Sequence, residues 1–348
     1  MFDSAHRPAS LSHVNSRKDE EMIDEVAKNV FRVEIPLTVP LLDSMNAYVV
    51  RDGDRNLIID TGMSQNRCEE VMRKALKDLD IDLARTDFFM THHHGDHFGL
   101  VGRLIAKGAV IYISGPEAGM IERIRSREIL ADVTGFIEVT GFPEKDLSRI
   151  IPPHAGTEYQ AREMWPFMLI SDGDVISRGG HNLRCVVTPG HSPGHTCLYD
   201  EEKKILFSGD HVLGSITPAI QLRSDHENPL KDYVRSLERL SRFSVRLVLP
   251  GHGGIFKNYA ERVAQLMTHH EERATDVLLA LASGEKDPYE VASRIPWSIV
   301  DFDGWEGVPL IQKFFATGEA FSHLKYLDGA EQVIKKKRGQ RLIYALAS

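Results

Sequence analysis

Apolar and polar residues alternate in the first part of the chain, which is the pattern of half-buried β-strands. The alternation is clearest in the segments NVFRVEI, NAYVVRD and RNLIID. From Asn66 to Leu79 the apolar residues instead recur at the three- and four-residue spacing of an amphipathic helix. We therefore expect a β-hairpin that leads into a helix.

The same pattern continues along the chain and predicts a mixed α/β protein. A strand (TDFFMTH), a helix (FGLVGRLIAKG) and a strand (AVIYIS) come next. Further strands are predicted for NLRCVVTPG, TCLYD, KILFSGD and VRLVLPG, with a helix from Leu230 to Phe243 before the last of them. Two mixed α/β halves are the expected result.

Residues 116–174 are predicted to be an inserted helical lid. The segment is helical and irregular, and it is richer in large apolar side chains than a solvated loop should be, with Met164, Trp165 and Phe167 as examples. Packing against the core is the favoured interpretation, and covering the substrate is compatible with it. Trp165 and Phe167 are therefore candidate residues of a substrate pocket.

The last part of the chain is predicted to form a small separate domain. A long helix is expected from about Tyr259 to Ala282, followed by helices in DPYEVASRI and LIQKFFATGEAFSHLKYLDG and by two strands around Arg338. Three helices and a terminal hairpin are typical of a winged-helix module. The predicted organisation is a flexible leader at 1–22, a catalytic domain at 23–267 and a winged-helix-like domain at 268–348.

Composition excludes several classes of protein. The 348 residues are 42% hydrophobic, which excludes a wholly disordered chain. No apolar stretch approaches the roughly 20 residues of a membrane span, so no membrane partner is expected. The three cysteines, Cys68, Cys185 and Cys197, provide neither a disulfide framework nor a thiolate zinc site. We therefore expect a cytoplasmic protein.

Charge is unevenly distributed along the chain. The formal net charge of -8 argues against uniform binding to phosphate backbones, but Glu331 to Ser348 contains five basic residues against one acidic residue. Four of the five are consecutive, from Lys335 to Arg338. A solvated hairpin is the favoured interpretation, and contact with RNA is the alternative. The sequence leaves open whether the chain forms a homo-oligomer.

The motif THHHGDH, where a predicted strand ends, is the strongest chemical signal. A strand places His92 and His94 on one side, and Gly95 permits a sharp turn that brings Asp96 and His97 to the same place. Imidazole and carboxylate groups suit zinc, iron or manganese. The absence of thiolates argues against a closed structural zinc site, so an open catalytic site is expected.

Three further strand ends provide additional metal ligands. They carry His191 in TPGHSPGH, Asp210 in FSGDH and His252 in LPGHG. Each follows an apolar strand and lies in a glycine-rich turn. A single histidine in such a turn is more often structural, but four such turns together favour a metal centre.

With these motifs in this order, the chain resembles the metallo-β-lactamase superfamily over about Asn29 to Met267. The resemblance implies an α/β fold, namely the αββα metallo-β-lactamase sandwich. It also implies two divalent metal ions, with zinc favoured over iron or manganese. One ion would be held by His92, His94 and His191, the other by Asp96, His97 and His252, and Asp210 would bridge them. Asp60 would orient a ligand, and His195 is assigned a supporting or structural role.

Two cations about 3.5 to 4 Å apart can hold a hydroxide between them, which would be the nucleophile. The metal lowers the pKa of this water toward about 7, so neither a serine nor a cysteine nucleophile is required. Asp96 is the candidate catalytic residue, because its carboxylate could take a proton from the hydroxide or pass one to the leaving group.

Departures from branches of the superfamily narrow the expected substrate. Many true β-lactamases have cysteine where this chain has Asp210, and only 41 residues separate Asp210 from His252, too few for the inserted domain of the superfamily's nucleases. The THHHGDH motif is similar to glyoxalase II, but the basic cluster that binds glutathione has no convincing equivalent. Persulfide dioxygenases use one iron, whereas the ligands for two ions are complete here.

The overall organisation resembles that of β-lactamase-like hydrolases with a short C-terminal winged-helix segment, some of which are endoribonucleases. Three hypotheses remain open. The favoured one is a dinuclear hydrolase of an ester or thioester, with an acyl-CoA-like small molecule as substrate. The second is a metal-dependent endoribonuclease that binds RNA through the basic hairpin. The third is a nucleic-acid-binding protein with a vestigial metal site.

Overall fold

The structure is a computed structural model that describes residues 23–39, 42–150, 165–221, 227–297 and 304–347. The predicted leader at 1–22 and Met164 of the predicted insert lie outside the described residues. None of the described helices combines the length and the apolar character that crossing a membrane requires.

The described strands are Ile23–Ala27 (β1), Val30–Val39 (β2), Leu42–Val50 (β3), Asn56–Ile59 (β4), Thr86–Phe89 (β5), Ile111–Ser114 (β6), Phe167–Ile170 (β7), Val175–Arg178 (β8), His181–Val187 (β9), Thr196–Asp200 (β10), Ile205–Gly209 (β11), Leu247–Pro250 (β12), Val333–Arg338 (β13) and Arg341–Leu346 (β14). The described α-helices are Asn66–Asp78 (α1), Gly95–Phe98 (α2), Val101–Leu104 (α3), Gly115–Arg125 (α4), Ile129–Thr140 (α5), Leu147–Ile150 (α6), Pro229–Leu240 (α7), Tyr259–Leu281 (α8), Pro288–Ala292 (α9), Gly304–Gly307 (α10) and Leu310–Gly329 (α11). Short 3-10 turns lie at Leu83–Arg85 and Glu144–Asp146.

Two sheets form the centre of the protein. The first has seven strands in the order β1-β2-β3-β4-β5-β6-β7, and the second has five in the order β12-β11-β10-β9-β8. The pairs from β4 to β7 are parallel, and β11 pairs in parallel with β12. Because parallel neighbours end at the same edge of a sheet, the loops after β4 and β5 lie side by side, and so do those after β11 and β12.

Apolar side chains fill the space between the layers. Tyr48, Phe89 and Phe207 belong to the cluster between the two sheets. The outer face of the first sheet packs on α1 through Met72, and that of the second packs on α7 through Leu237. Each fully buried side chain of this size contributes roughly 1.5–3 kcal/mol. The predicted four-layer αββα sandwich is confirmed.

The predicted insert differs from the structure at its end. It contains α4, α5 and α6 as expected, but β7 at Phe167–Ile170 completes the seven-stranded sheet. The strand has only four residues and lies at the sheet edge, where Met168 and Leu169 are exposed, so it shows no alternation that would identify it. Trp165 is buried with its ring centroid 4.9 Å from that of Phe98, as in the core-packing interpretation.

The C-terminal part contains the predicted helices and hairpin. Helix α8 runs through the predicted domain boundary at 267/268, and β13 pairs with β14 around the turn at Gly339. Phe136 of α5 packs on Phe314 and Phe321 of α11, so the insert and the C-terminal helices share one hydrophobic cluster. The winged-helix assignment stays a prediction.

Candidate metal centre

The loops at the ends of β5, β9, β11 and β12 carry the predicted ligands. The turn predicted at Gly95 is the start of α2: His94 is extended (φ -60°, ψ 148°), and the helix begins at the next residue. This change of direction places Asp96 and His97 on the same side as His92 and His94. Four residues within one short loop thus face a common point.

The three-histidine group consists of His92, His94 and His191. Nδ1 of His94 lies 3.0 Å from Nε2 of His92 and 3.0 Å from Nε2 of His191. His92 and His94 follow a strand of the first sheet, and His191 follows β9 of the second sheet. The group is therefore assembled across the two sheets.

The mixed group consists of Asp96, His97 and His252. Nε2 of His252 lies 3.3 Å from Oδ2 of Asp96 and 3.2 Å from Nε2 of His97. Asp210 lies between the two groups, with Oδ2 3.4 Å from Nε2 of His252 and 3.8 Å from Nε2 of His191. The structure thus brings all seven predicted ligands together.

The geometry of both groups fits divalent metal ions. Two atoms that each lie about 2.1 Å from a tetrahedral ion are about 3.4 Å apart, close to the separations found here. Oδ1 of Asp210 is buried without a hydrogen-bond partner among the described residues. A Cβ on Gly251 would lie only 2.4 Å from this oxygen, so glycine at this position lets the backbone pass close to the Asp210 carboxylate.

Electrostatics also favours a positive charge near the carboxylates of Asp96 and Asp210. Burial lowers the pKa of His252, but the carboxylates of Asp210 and Asp96 together outweigh burial and raise it to about 10. The pKa of Asp210 lies well below its usual range, because His252 and His97 outweigh the opposing effect of burial. Burial lowers the pKa of His92 and favours the neutral imidazole that a metal requires.

Hydrogen bonds fix the orientation of the ligand rings. Nδ1 of His97 lies 2.8 Å from Oδ2 of Asp60, the residue predicted to orient a ligand. Asp60 has a left-handed conformation (φ 57°) and also accepts from the backbone N–H and hydroxyl of Thr91. The carbonyls of Ser44 and Ala219 lie 2.9 Å from Nδ1 of His252 and of His191, respectively. With Nδ1 engaged in this way, Nε2 of each ring is left to face an ion.

His195 supports the loop that carries Asp210. Its Nε2 accepts a hydrogen bond from the backbone N–H of Asp210 at 3.1 Å, and its Nδ1 lies 2.8 Å from the hydroxyl of Thr188. The hydroxyl of Tyr233 donates to the carbonyl of His211 on the other side of Asp210. Both contacts restrain the backbone around this residue.

Sequence reasoning missed Glu117, a fully buried carboxylate in the first turn of α4. It contacts His93, the histidine left out of the ligand set, and also Ser192 and Gly194 beside His191. An acidic residue three positions after the apolar strand AVIYIS is the only signal that points to it. Trp165 belongs to the core beside Phe98, and its pocket role stays a prediction, as does that of the half-buried Phe167.

Replacing Gly190 by alanine is expected to destabilise the protein by about 3 kcal/mol. Gly190 has φ +145°, and a Cβ there would lie 2.4 Å from Cβ and 2.5 Å from Cα of Tyr233. Urea unfolding measures the loss. Gly180→Ala is the matched control, since Gly180 has φ +80° but open space around its Cβ position, and it should cost about 1 kcal/mol. Equal losses would contradict a role for the close approach.

Comparison with known proteins adds a family assignment. Residues 42–252 match the family model for the metallo-beta-lactamase superfamily. The atrochrysone carboxyl ACP thioesterase of Aspergillus fumigatus is 28% identical over 247 residues, which are 71% of this chain and 62% of that protein. The chain thus spans less than two thirds of that relative. Human acyl-coenzyme A thioesterase MBLAC2 is 31% identical over 241 residues, 66% of this chain and 79% of that protein.

Two solved structures resemble almost the whole chain. The metallo-beta-lactamase family protein TTHA1429 from Thermus thermophilus has a TM-score of 0.77 and 26% identity, and the match covers 91% of this chain and 98% of that one. A beta-lactamase domain protein from Burkholderia ambifaria has a TM-score of 0.74 and 26% identity, covering 93% and 95%. The structural similarity therefore extends beyond the region that the family model matches.

Proposed function

The chain belongs to the metallo-beta-lactamase superfamily, and we propose that it is a metal-dependent hydrolase of thioesters. The observation that carries the proposal is the convergence of the three-histidine and mixed groups on Asp210, whose carboxylate oxygens lie 3.8 Å from Nε2 of His191, 3.4 Å from Nε2 of His252 and 3.5 Å from Nε2 of His97. The thioester is suggested by the relatives, two of which are named as thioesterases.

Two ions per chain are part of the proposal. The three-histidine group would hold one ion, the mixed group the other, and Asp210 would contact both. Imidazole and carboxylate ligands without thiolates favour zinc, with iron or manganese as alternatives. When bound, such ions polarise the substrate carbonyl and lower the pKa of water at the site.

The chain's own residues would orient the reaction. Oδ2 of Asp96 lies 3.3 Å from Nε2 of His252, and its side chain is partly exposed, so it faces the open side of the centre. Its carboxylate is placed to take a proton from the attacking water and return it to the leaving sulfur. Asp60, by contrast, is buried and would keep the ring of His97 in place.

A panel of substrates with one acyl group tests the proposal. Metal-loaded protein should release free thiol from an acyl-CoA or an acyl carrier protein thioester faster than it hydrolyses the matching oxygen ester, a lactone or single-stranded RNA. The carrier that gives the larger kcat/KM identifies the natural leaving group. Cleavage of RNA without any release of thiol would overturn the assignment.

The endoribonuclease alternative depends on the basic hairpin. There, Nζ of Lys336 lies 3.2 Å from a carboxylate oxygen of Glu285, and Arg338 contacts the same carboxylate. Part of the positive charge is thus already compensated. The hairpin packs on α5, α8, α9 and α11 of the C-terminal region. RNA binding and homo-oligomer formation stay predictions.

Changing Lys335, Lys336, Lys337 and Arg338 together to glutamine should leave thioester turnover within about threefold of the parent. All four lie on β13 of the C-terminal hairpin, where Lys336 and Arg338 pair with Glu285. Steady-state kinetics at 50 and 200 mM salt measures this. RNA affinity held by the same residues would instead fall steeply with salt in the parent and disappear in the variant. A parallel loss of RNA binding and RNA cleavage would favour the nuclease.

A further inference from the structure

Glu117 is a buried carboxylate that joins two ligand-bearing loops. Its Oε2 accepts a hydrogen bond from the backbone N–H of His93 at 2.8 Å and lies 2.5 Å from Nδ1 of the same residue. Its Oε1 accepts from the hydroxyl of Ser192 and from the backbone N–H of Gly194, both at 2.6 Å. Each carboxylate oxygen therefore serves a different loop.

Both loops carry members of the three-histidine group. His93 lies between His92 and His94, and Ser192 directly follows His191. The loops come from different sheets, so their separation is not fixed by strand pairing within one sheet. The contact between Nδ1 of His94 and Nε2 of His191, at 3.0 Å, bridges the two loops. A tie between the loops thus bears directly on this distance.

The start of α4 lies close to the loop that carries His191. The hydroxyl of Ser114, which precedes α4, donates to the carbonyl of Gly194 at 2.7 Å. A Cβ on Gly194 would lie 2.2 Å from this hydroxyl oxygen and 2.9 Å from Cβ of Pro116. Glycine at this position allows the start of α4 to reach the loop, and Glu117 then has its hydrogen-bond donors within reach.

The mixed group is oriented by other residues. Nδ1 of His97 is held by Asp60, and Nδ1 of His252 by the carbonyl of Ser44. The hydrogen bonds of Glu117 given by the structure go to His93, Ser192 and Gly194 and to no member of the mixed group. The two groups therefore have separate supports.

We propose that Glu117 is a positioning residue that sets the distance between His94 and His191 and thereby the metal affinity of the three-histidine group. The inference rests on the proposed metal centre and adds to it a residue outside the ligand set. An ionised carboxylate that is fully removed from water must be compensated, and here donors from both loops compensate it. Replacing the Glu117 carboxylate by a neutral group of the same size weakens its hydrogen bonds to the two loops without leaving a cavity.

The test uses Glu117→Gln, which keeps the shape of the side chain, and Glu117→Asp, which keeps the charge. Zinc is titrated into metal-free protein against a chelator of known affinity, and cobalt absorption reports the geometry of each site. Glu117→Gln should lower the zinc affinity of the three-histidine group about 10- to 100-fold, as expected for the loss of a residue that orients metal ligands. The ion at the mixed group should be retained, and Glu117→Asp should restore part of the affinity.

Asp200→Asn is the matched control. Asp200 is also a buried carboxylate paired with a histidine, 2.8 Å from Nδ1 of His181, at the opposite end of β10 from the ligand loops. Its variant should lower the unfolding temperature of the metal-free protein but leave both zinc affinities unchanged. A merely structural Glu117 would behave in the same way, and that result would overturn the inference.

The outcomes also separate this inference from the proposed function. If the parent binds zinc and Glu117→Gln binds it with unchanged affinity, only the positioning role is overturned. If Glu117→Gln lowers the zinc affinity of both groups equally, a role of Glu117 that is specific to the three-histidine group is overturned. A parent that binds no zinc overturns the metal centre and this inference together.

Discussion

Replacing Asp210 by alanine is expected to reduce kcat/KM for a thioester about a thousandfold or more. Asp210 approaches both ligand groups: its Oδ2 lies 3.8 Å from Nε2 of His191 and 3.4 Å from Nε2 of His252, and its Oδ1 lies 3.5 Å from Nε2 of His97. Metal ions contribute several kcal/mol of transition-state stabilisation, and each 1.4 kcal/mol or so corresponds to a tenfold change in rate. Steady-state kinetics on the metal-loaded variant measures the loss.

Circular dichroism should show that the Asp210→Ala variant stays folded, because the residue lies on the loop after β11 and is not a member of the apolar core. His92→Ala should behave alike, since His92 belongs to the three-histidine group. Asp172→Ala serves as the control: Asp172 is an exposed partner of Arg239, and its loss should change turnover less than twofold. Turnover near the parental rate in Asp210→Ala and His92→Ala would mean that the reaction occurs elsewhere.

The predicted ligands could be found from sequence because each follows a recognisable strand. The period of two between His92 and His94, and the glycine-rich turns before His191 and His252, are local signals. Strand ends in a layered sheet meet at one edge, so local signals are enough to predict that the side chains converge. Their arrangement into two groups was implied by the resemblance, and the distances show which atoms face one another.

Glu117 could not be found in this way, because its role depends on contacts between distant parts of the chain. Its partners lie 24, 75 and 77 residues away in sequence. Nothing in the local pattern around GPEAG distinguishes a buried carboxylate that joins two loops from an exposed one in the first turn of a helix, where acidic residues are common. Its function is visible only in three dimensions.

The domain prediction shows a similar limit. Apolar spacing in α5 indicates that one face is buried, but it does not say which element covers that face. In the structure Phe136 meets Phe314 and Phe321 of the C-terminal region, rather than the sheet beside which α5 lies in sequence. Helical periodicity therefore predicts the element, while its partner is set by tertiary packing.

Removing metal is expected to abolish thioester hydrolysis and to lower the unfolding temperature by several degrees. Each ion that binds only the folded state stabilises it by about 2.7 kcal/mol when its free concentration is a hundred times Kd. The ligands of both groups make this dependence strong, since their ligand atoms converge on a small volume in which His92, His97 and His252 are buried. Dialysis against a chelator, followed by thermal unfolding and activity assays with and without added zinc, measures both effects.

Metal analysis of the reloaded protein should give close to two equivalents per chain, one for each group. His92→Ala should retain the ion of the mixed group and bind about one equivalent, because Asp96, His97 and His252 are untouched. A parent that holds a single ion even with metal in excess would contradict the dinuclear proposal. That result would favour single-ion chemistry of the kind used by the superfamily's dioxygenases. The three-histidine group, which Glu117 supports, would then be the expected site of the ion.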